Sequence, residues 1–238
     1  MQPLAIVATS LLVLLLGALL YWVLVLTEGT YLGPRVVVLL YDWTARRYDR
    51  IKQLRFVDES RYVGIPLVRA LQTVPSPKIL DVATGTGRVP LAVLREPSFG
   101  GSIVGVDRSS RMLAQALDAC AGQDRLLLAL QEATSLGFRS GTFDCVSCLE
   151  ALEFFSDPQA ALREFMRVLK PGGLLLVSNR VGLDAKYFVG RMAGRGVVES
   201  YLAEIGAWGV QMQRWQVHYD LVWARKPHDS QAARRPGS

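Results

Sequence analysis

The chain has 238 residues, enough for one domain of common size with an appendage and too few for two full domains. Apolar residues make up 50% and charged residues 20%, which excludes intrinsic disorder, collagen-like repeats and coiled coil. Three cysteines exclude a disulfide scaffold and indicate a reducing compartment. The formal net charge of +6 fits a membrane surface or an anionic ligand better than a nucleic acid, so we expect no nucleic-acid partner.

The N-terminal segment predicts a membrane anchor over residues 1–28. From Pro3 to Leu26 the chain is uncharged and mostly aliphatic, and a helix of about 20 residues crosses the hydrocarbon core of a bilayer. Tyr21 and Trp22 stand near the end of this run, where amphipathic rings favour the interface. The alternative, a cleavable signal peptide, would need a basic start and a shorter apolar stretch.

Basic residues follow the apolar run and none precedes it, which favours a single-pass membrane protein with its body in the cytoplasm. These residues are Arg35, Arg46, Arg47, Arg50, Lys52 and Arg55. Residues 29–75 are expected to form juxtamembrane and lid helices. Within them, the apolar patch 36–40 with Tyr41 and Trp43 predicts either an amphipathic helix on the bilayer surface or a helix that packs on the domain's own core.

Beyond residue 60, short apolar strands alternate with helical stretches. We predict strands at 78–83, 101–107, 126–130, 143–148, 174–178, 209–215 and 217–224. We predict helices at 60–74, 88–95, 109–121, 158–168 and 197–205. The alternation implies crossover connections and hence an α/β fold with a doubly wound, mainly parallel sheet. We expect the last two strands to form an antiparallel hairpin at its edge, a turn at Lys170–Gly173, and a disordered tail over residues 227–238.

A glycine turn carries the clearest functional signal. Gly85-Thr86-Gly87 follows the first predicted strand and opens a helix, so a ligand can approach its main-chain N–H groups closely. Asp107 ends the second strand, where a carboxylate can bind the hydroxyl pair of a ribose. This combination indicates a cofactor that contains a nucleoside.

The type of cofactor follows from two further residues. A dinucleotide site usually has a third glycine, and Pro90 stands at that position here. The carboxylate of Asp81 would be unfavourable beside a pyrophosphate and suits a cationic ligand. S-adenosylmethionine has a ribose, an ammonium and a sulfonium, and it carries no phosphate.

Four segments resemble motifs of class I S-adenosylmethionine-dependent methyltransferases. ILDVATGTGR (79–88) and VGVDRSSRML (104–113) resemble the motifs of the first two strands, and QEATSLGF (131–138) resembles the family's segment after the third. FDCVSCLEALEFFSD (143–157), followed by VLKPGGLLLVSN (168–179), resembles the fourth strand and the turn before the fifth. The spacing is most similar to the ubiquinone/menaquinone-biosynthesis-like group (methyltransferase type 11), whose helix before the core is similar to TARRYDRI around Tyr48 and Asp49. The resemblance covers residues 41–225 and implies a Rossmann-like methyltransferase fold with S-adenosylmethionine as cofactor.

The resemblance also implies roles for individual residues. Asp81 would hold the ammonium, the glycine turn the methionine end, and Asp107 the ribose. Glu132 would read the adenine amino group, with Ala133 offering its N–H. The cofactor-binding set implied in this way is Asp81, Ala83, Thr84, Gly85, Thr86, Gly87, Asp107, Arg108, Met112, Glu132, Ala133, Cys148 and Leu149.

The sequence departs from the family pattern at two positions and leaves the catalytic group open. Ala83 replaces a common glycine, which we expect to be tolerated, and Gly137 replaces the usual proline. Glu150 and Glu153 are candidates for a general base, which is needed only if the acceptor arrives protonated. Cys145-x-x-Cys148 is not expected to bind a metal, because the two side chains of a strand at this spacing point to opposite faces.

The anchor points to a small or lipid-like acceptor for an in-line methyl transfer, with residues 41–62 and 181–198 as a mobile cover. The alternatives are a nicotinamide-dependent reductase on a related fold and a non-catalytic, membrane-tethered scaffold that binds the cofactor.

Overall fold

The computed structural model describes residues 2–45 and 59–228. Helix α1 spans Gln2–Tyr21 and continues as a π-helical segment, Trp22–Leu26. No part of its most apolar window is buried, and by length and composition the stretch Pro3–Leu26 is able to cross a membrane. Tyr48, Asp49 and the expected disordered tail beyond His228 lie outside the described residues.

Helix α2, Pro34–Thr44, follows after a short 3₁₀ turn. Of the two predictions for this segment, the structure favours packing on the domain. The hydroxyl of Ser109 donates to Asp42, and the ring of Tyr41 meets that of Phe154 edge-on with centroids 5.8 Å apart. Leu39 and Trp43 face outward. The helix therefore covers one edge of the domain with one face and leaves the other exposed.

Seven strands form one sheet in the order β3-β2-β1-β4-β5-β7-β6, which confirms the predicted fold class. The strands are β1 (Lys78–Val82), β2 (Ser102–Asp107), β3 (Leu126–Leu130), β4 (Phe143–Cys148), β5 (Leu169–Arg180), β6 (Trp208–Arg214) and β7 (Tyr219–Arg225). Pairing is parallel from β3 through β5 and antiparallel at β7 and β6. The chain order reverses between β1 and β4, so a ligand site is expected at the carboxyl ends of the strands near this point.

Five helices within residues 59–228 pack against the sheet and complete the layers described. They are α3 (Ile65–Ala70), α4 (Arg88–Leu94), α5 (Ser110–Ala119), α6 (Pro158–Val168) and α7 (Val197–Glu204). One buried cluster includes residues of α6 and α7, and a second includes residues of α3 and α4. Cys145 belongs to the second cluster and Cys148 to the first, as expected for strand side chains on opposite faces.

Two predicted boundaries were wrong. The helix predicted over 60–74 is a π-helical segment, Ser60–Gly64, followed by the short α3, which ends at Ala70 ahead of the proline-rich turn. The expected turn at Lys170–Gly173 lies inside the long strand β5, whose pairing with β4 shifts register between Phe143 and Cys145. Gly172 has a positive φ of 76° there, so the segment forms an irregularity within the strand that carries it on toward β7.

Candidate functional site

Two adjoining cavities lie at the carboxyl ends of β1, β2 and β4. The main cavity has a volume of about 840 Å³, including space open to solvent at its mouth. The side cavity has a volume of about 360 Å³ on the same basis. Ala83, Gly85, Leu149 and Glu150 line both, so they separate one space from the other.

The glycine turn supplies an open main-chain surface between the cavities. Gly85 has a φ of 55°, and the nearest atom to a side chain built there would be 4.0 Å away, so nothing in the protein fills the space over this residue. Ala83 shares the left-handed region with a φ of 55°, which explains why a glycine is common at this position and shows that alanine is accommodated under strain. The turn is thus shaped for close approach by a ligand.

Gly87 has a different part in the turn. It lines neither cavity, and a Cβ there would lie 3.1 Å from the Cβ of Ala116 and 3.2 Å from the Sγ of Cys120. Its φ of 84° and this tight contact with α5 make it a packing residue that seats α4 against its neighbour. The structure therefore supports a shaping role for Gly87 at this end of the sheet.

Asp107 lies at the end of β2 with its carboxylate fixed by the backbone. Its Oδ2 accepts a hydrogen bond from Gly85 N–H at 3.0 Å, and its Oδ1 accepts one from Ser109 N–H at 2.9 Å. Burial raises the pKa of this carboxyl, and these N–H groups oppose the rise. Each oxygen keeps a second lone pair for a ligand hydroxyl, so the residue fits the ribose diol expected of it.

Asp81 lies beneath the side cavity and is almost fully buried. It accepts hydrogen bonds from the hydroxyls of Thr84 and Ser147, both at 2.7 Å. Burial raises its pKa to about 6, against the lowering effect of those two hydrogen bonds. A cationic ligand in the side cavity would favour the ionised form.

The far side of the main cavity contains the remaining residues expected around adenine. Arg108 and Glu132 form a half-exposed ion pair at 2.8 Å, and both line the cavity together with Met112 and Ala133. Since Glu132 is paired with Arg108, its carboxylate is held at the rim of this space. Thr84 and Thr86 line the side cavity instead.

Cys148 does not reach either cavity. It is fully buried in the core, where burial raises the pKa of its thiol well above the ordinary value. Its neighbour Leu149 lines both cavities. Of the two residues at the end of β4 that were expected to bind the cofactor, Cys148 therefore lies in the core and Leu149 lies at the site.

The two candidate bases differ in access. Glu150 lines both cavities, pairs with Arg88 at 2.9 Å and accepts a hydrogen bond from Gln216 at 3.1 Å. Glu153 is fully buried away from both cavities, where it accepts a hydrogen bond from Tyr219 and lies 3.5 Å from Arg180. Burial raises the pKa of Glu153, and Arg180 opposes this. Of the two, only Glu150 borders space that a ligand can occupy.

Several residues outside the set predicted to bind the cofactor also line the main cavity. Apolar side chains of α2 and of the segment after β4 contribute most of them. They are Pro34, Val37, Val38, Tyr41, Ala151, Phe154 and Phe155. Phe154 and Phe155 stand inside a segment that resembles the family motif, whereas α2 carries no motif that marks it.

The comparisons with known proteins agree with this geometry. Residues 80–177 match the family model for a methyltransferase domain. Residues 80–177 are a class I S-adenosylmethionine-dependent methyltransferase domain. Its cofactor is S-adenosylmethionine, which decides against the nicotinamide alternative, and the open turn at Gly85 and the carboxylates of Asp81 and Asp107 fit that cofactor.

Curated relatives of this methyltransferase domain include two with quinone-related names. The chain is 33% identical over 144 residues to a demethylmenaquinone methyltransferase of Clavibacter sepedonicus, an alignment covering 60% of this chain and 58% of the relative. It is 32% identical over 148 residues to the ubiquinone/menaquinone biosynthesis C-methyltransferase UbiE of Geobacter sulfurreducens, covering 61% and 57%. The chain thus spans less than two thirds of each.

Solved structures share the fold of the methyltransferase domain at low sequence identity. One is a SAM-dependent methyltransferase from Aquifex aeolicus, with a TM-score of 0.63 and 16% identity, covering 78% of this chain and 98% of that one. Another is the [4+2]-cyclase SpnF, with a TM-score of 0.57 and 23% identity, covering 68% of this chain and 79% of that one. These likenesses concern the fold alone.

Proposed function

We propose that this protein is a membrane-anchored methyltransferase that methylates a ring carbon of a quinone-like lipid acceptor. The observation that carries the proposal is the composition of the main cavity. Asp107, Arg108 and Glu132 form a polar region suited to the adenosine, and aromatic and aliphatic side chains line the region after β4. An apolar ring with a lipid tail fits such a lining. The names of the two curated relatives support the same acceptor class.

The cofactor, when bound, supplies a methyl group that its sulfonium has already activated for in-line displacement. The protein's own contribution is to position the acceptor and exclude water. Tyr41 of α2 packs edge-on against Phe154, and both line the main cavity, so α2 forms a cover over the apolar region. A ring held beneath this cover would be shielded from solvent.

Carbon methylation also requires that the ring lose a proton. Glu150 is the residue we assign to accept it, directly or through water, because it borders both cavities. Arg88 holds its carboxylate at 2.9 Å and is itself held by Glu59 at 2.9 Å. Glu150 has a φ of 53°, so its backbone is in the strained left-handed region. Such strain is found at functional sites.

The proposed anchor is the helix Pro3–Leu26, with the domain on the side of the basic residues that follow. In domain terms we propose an anchor over 1–28, a juxtamembrane and lid region over 29–75, and the methyltransferase domain over 76–226. Tethering would hold the cavity near acceptors that reside in the bilayer. Flotation of the full chain with vesicles after an alkaline carbonate wash tests the anchor.

The activity is tested with the full chain in nanodiscs, S-adenosylmethionine labelled in its methyl group, and demethylmenaquinone reduced to its hydroquinone. We expect the label on a ring carbon of the product, located by mass spectrometry and NMR. A label found on a hydroxyl oxygen would contradict carbon methylation. Binding of S-adenosylhomocysteine without turnover of this acceptor or of a membrane lipid extract would favour the non-catalytic scaffold.

A further inference from the structure

The end of the N-terminal helix is bound to one particular loop of the domain. The Trp22 ring stacks on the Tyr31 ring with centroids 4.9 Å apart. The Tyr31 hydroxyl donates to the carbonyl of Val189 at 2.8 Å and lies 3.2 Å from that of Tyr187. Residues 187–189 therefore lie at the level where the helix ends.

A second contact fixes the same loop in place. Arg191 donates to the carbonyl of Thr30 at 3.1 Å, and its guanidinium lies 5.5 Å from the centroid of the Tyr31 ring. Arg191 also donates to the carbonyl of Phe155 at 2.7 Å, on the cavity wall. One side chain thus connects the end of the helix, the loop and the site.

Large apolar side chains are exposed on this loop and on the segment beside it. Leu183 is 72% exposed, Val189 69% and Val217 83%. The N–H of Val181 donates to the carbonyl of His218 at 2.8 Å, which holds the two segments side by side. We call Leu183, Val189 and Val217 the apolar rim.

Position and charge indicate what covers the rim. Tyr31 stacks on Trp22 at the end of the helix that we propose to span the bilayer, and its hydroxyl donates to the carbonyl of Val189 in the rim. Lys186 on the same loop and Arg214 at the end of β6 are exposed cations that suit anionic headgroups. Apolar residues flanked by cations are typical of segments that lie in the membrane interface.

We propose that the apolar rim is a second membrane contact that inserts into the interface and holds the cavity against the bilayer. The inference rests on the anchor of the proposed function and adds the orientation of the domain. Phe188, between Tyr187 and Val189, packs edge-on against Phe154 of the cavity wall, with centroids 5.7 Å apart. The rim and the cavity wall are therefore neighbours, and a lipid acceptor enters from the membrane without crossing water.

The test uses the full chain with a fluorophore on Val189→Cys or Val217→Cys. The three native cysteines are buried, so the introduced thiol is labelled selectively. The matched control is Leu127→Cys on β3, which is 68% exposed at the edge of the sheet farthest from β6. Each protein is reconstituted into vesicles of phosphatidylcholine and phosphatidylglycerol, with or without a spin label at an upper acyl carbon.

We expect quenching at least about twofold stronger for the rim labels than for the Leu127 label, because an interfacial segment lies about 5–10 Å deep. Equal quenching in protein that floats with the vesicles overturns the rim and leaves the anchor intact. Protein that does not float with the vesicles overturns the anchor, on which the rim depends. Iodide serves as a second quencher that acts from the water. Rim labels that are shielded from iodide but not quenched by the spin-labelled lipid would show that another protein surface covers the rim, and this would also overturn the proposal.

A functional measurement gives an independent result. The triple variant Leu183→Ser, Val189→Ser and Val217→Ser should lower kcat/KM for a long-tailed acceptor in vesicles about tenfold, since three apolar contacts with the membrane are lost. Turnover of a short-tailed, water-soluble acceptor and the Kd for S-adenosylhomocysteine should stay within about twofold, because the rim touches neither. An equal loss for both acceptors would overturn delivery through the membrane.

Discussion

The part of the main cavity around Asp107 is lined by polar groups, whereas the part around Phe154 is lined by apolar side chains. Around Asp107, main-chain N–H groups and carboxylates present fixed polar contacts at the ends of β1 and β2. Around Phe154, aromatic and aliphatic side chains from α2 and from the segment after β4 present a surface without directional bonds. The part around Asp107 can specify a ligand by the geometry of its hydrogen bonds, whereas the part around Phe154 selects a ligand by size and polarity. We therefore expect substitutions to change the preferred acceptor more easily than the preferred cofactor.

The largest expected effect is on cofactor affinity, and it comes from removing the carboxylate of Asp107 in the polar part of the cavity. Asp107→Ala should raise the Kd for S-adenosylhomocysteine about 100-fold, because two charge-assisted hydrogen bonds to the ribose are lost at about 1.5 kcal/mol each. Asp118→Ala, an exposed carboxylate on α5, is the control and should leave the Kd unchanged. Calorimetric titration measures both, and an unaltered Kd in Asp107→Ala would remove the basis of the cofactor assignment.

The second effect depends on pH and concerns Asp81. Its pKa in the free protein is raised to about 6, so the carboxylate becomes protonated as the pH falls through that value. If it holds the ammonium, affinity for S-adenosylhomocysteine should weaken about tenfold between pH 7 and pH 5, since about nine tenths of the group is protonated one unit below its pKa. Asp81→Asn should bind more weakly at pH 7 and show a flatter profile.

The same shift has a consequence for folding stability. A carboxyl whose folded pKa lies above its unfolded value favours folding most at low pH, and this contribution is lost as the pH rises from about 4 to about 6. Asp81→Asn should therefore gain stability relative to the parent protein across that window. Denaturant titrations at pH 4 and pH 7 measure this difference, and a difference that stays constant would contradict the assigned burial effect.

The third effect concerns the apolar part. Val38→Ser should raise KM for the lipid acceptor about fivefold, because the cavity loses apolar contact and gains a hydroxyl. The Kd for S-adenosylhomocysteine should change less than twofold. Leu39→Ser on the outer face of α2 is the matched control, and an equal rise in KM there would mean that α2 acts through the membrane and not through the cavity.

The smallest effect concerns backbone strain in the polar part. Ala83→Gly should stabilise the protein by about 0.5 kcal/mol, because the relief of a left-handed alanine exceeds the extra entropy of glycine in the unfolded chain. The φ of 55° at Ala83 motivates this expectation. Denaturant midpoints measure it, and a loss of stability would show that the alanine methyl contributes packing that outweighs the strain.

The two parts also differ in how far the sequence predicts them. The doubly wound sheet with its antiparallel edge hairpin follows from the alternation of strands and helices, and the candidate site residues from Asp81 to Ala133 follow from short motifs, because a turn, a strand end and a carboxylate lie close together in the chain. The sequence predicts two surfaces on which α2 could pack and does not decide between them, because its partners Ser109 and Phe154 are distant in sequence and apolar periodicity does not distinguish a bilayer from a protein surface. The division of Cys148 and Leu149 between core and cavity depends on how the chain leaves β4, which no motif encodes.

One hydroxyl group links the cover to the sugar-binding carboxylate. Ser109 donates to Asp42 of α2, while its oxygen accepts a hydrogen bond from Met112 N–H at 3.0 Å and its own N–H is held by Asp107. Displacement of α2 therefore disturbs Ser109, which is hydrogen-bonded to Asp107. We expect release of S-adenosylhomocysteine and opening of the apolar part of the main cavity to occur together. We expect S-adenosylhomocysteine and the methylated lipid to leave with the same rate constant in stopped-flow measurements, and two different release rates would show that the two openings are independent.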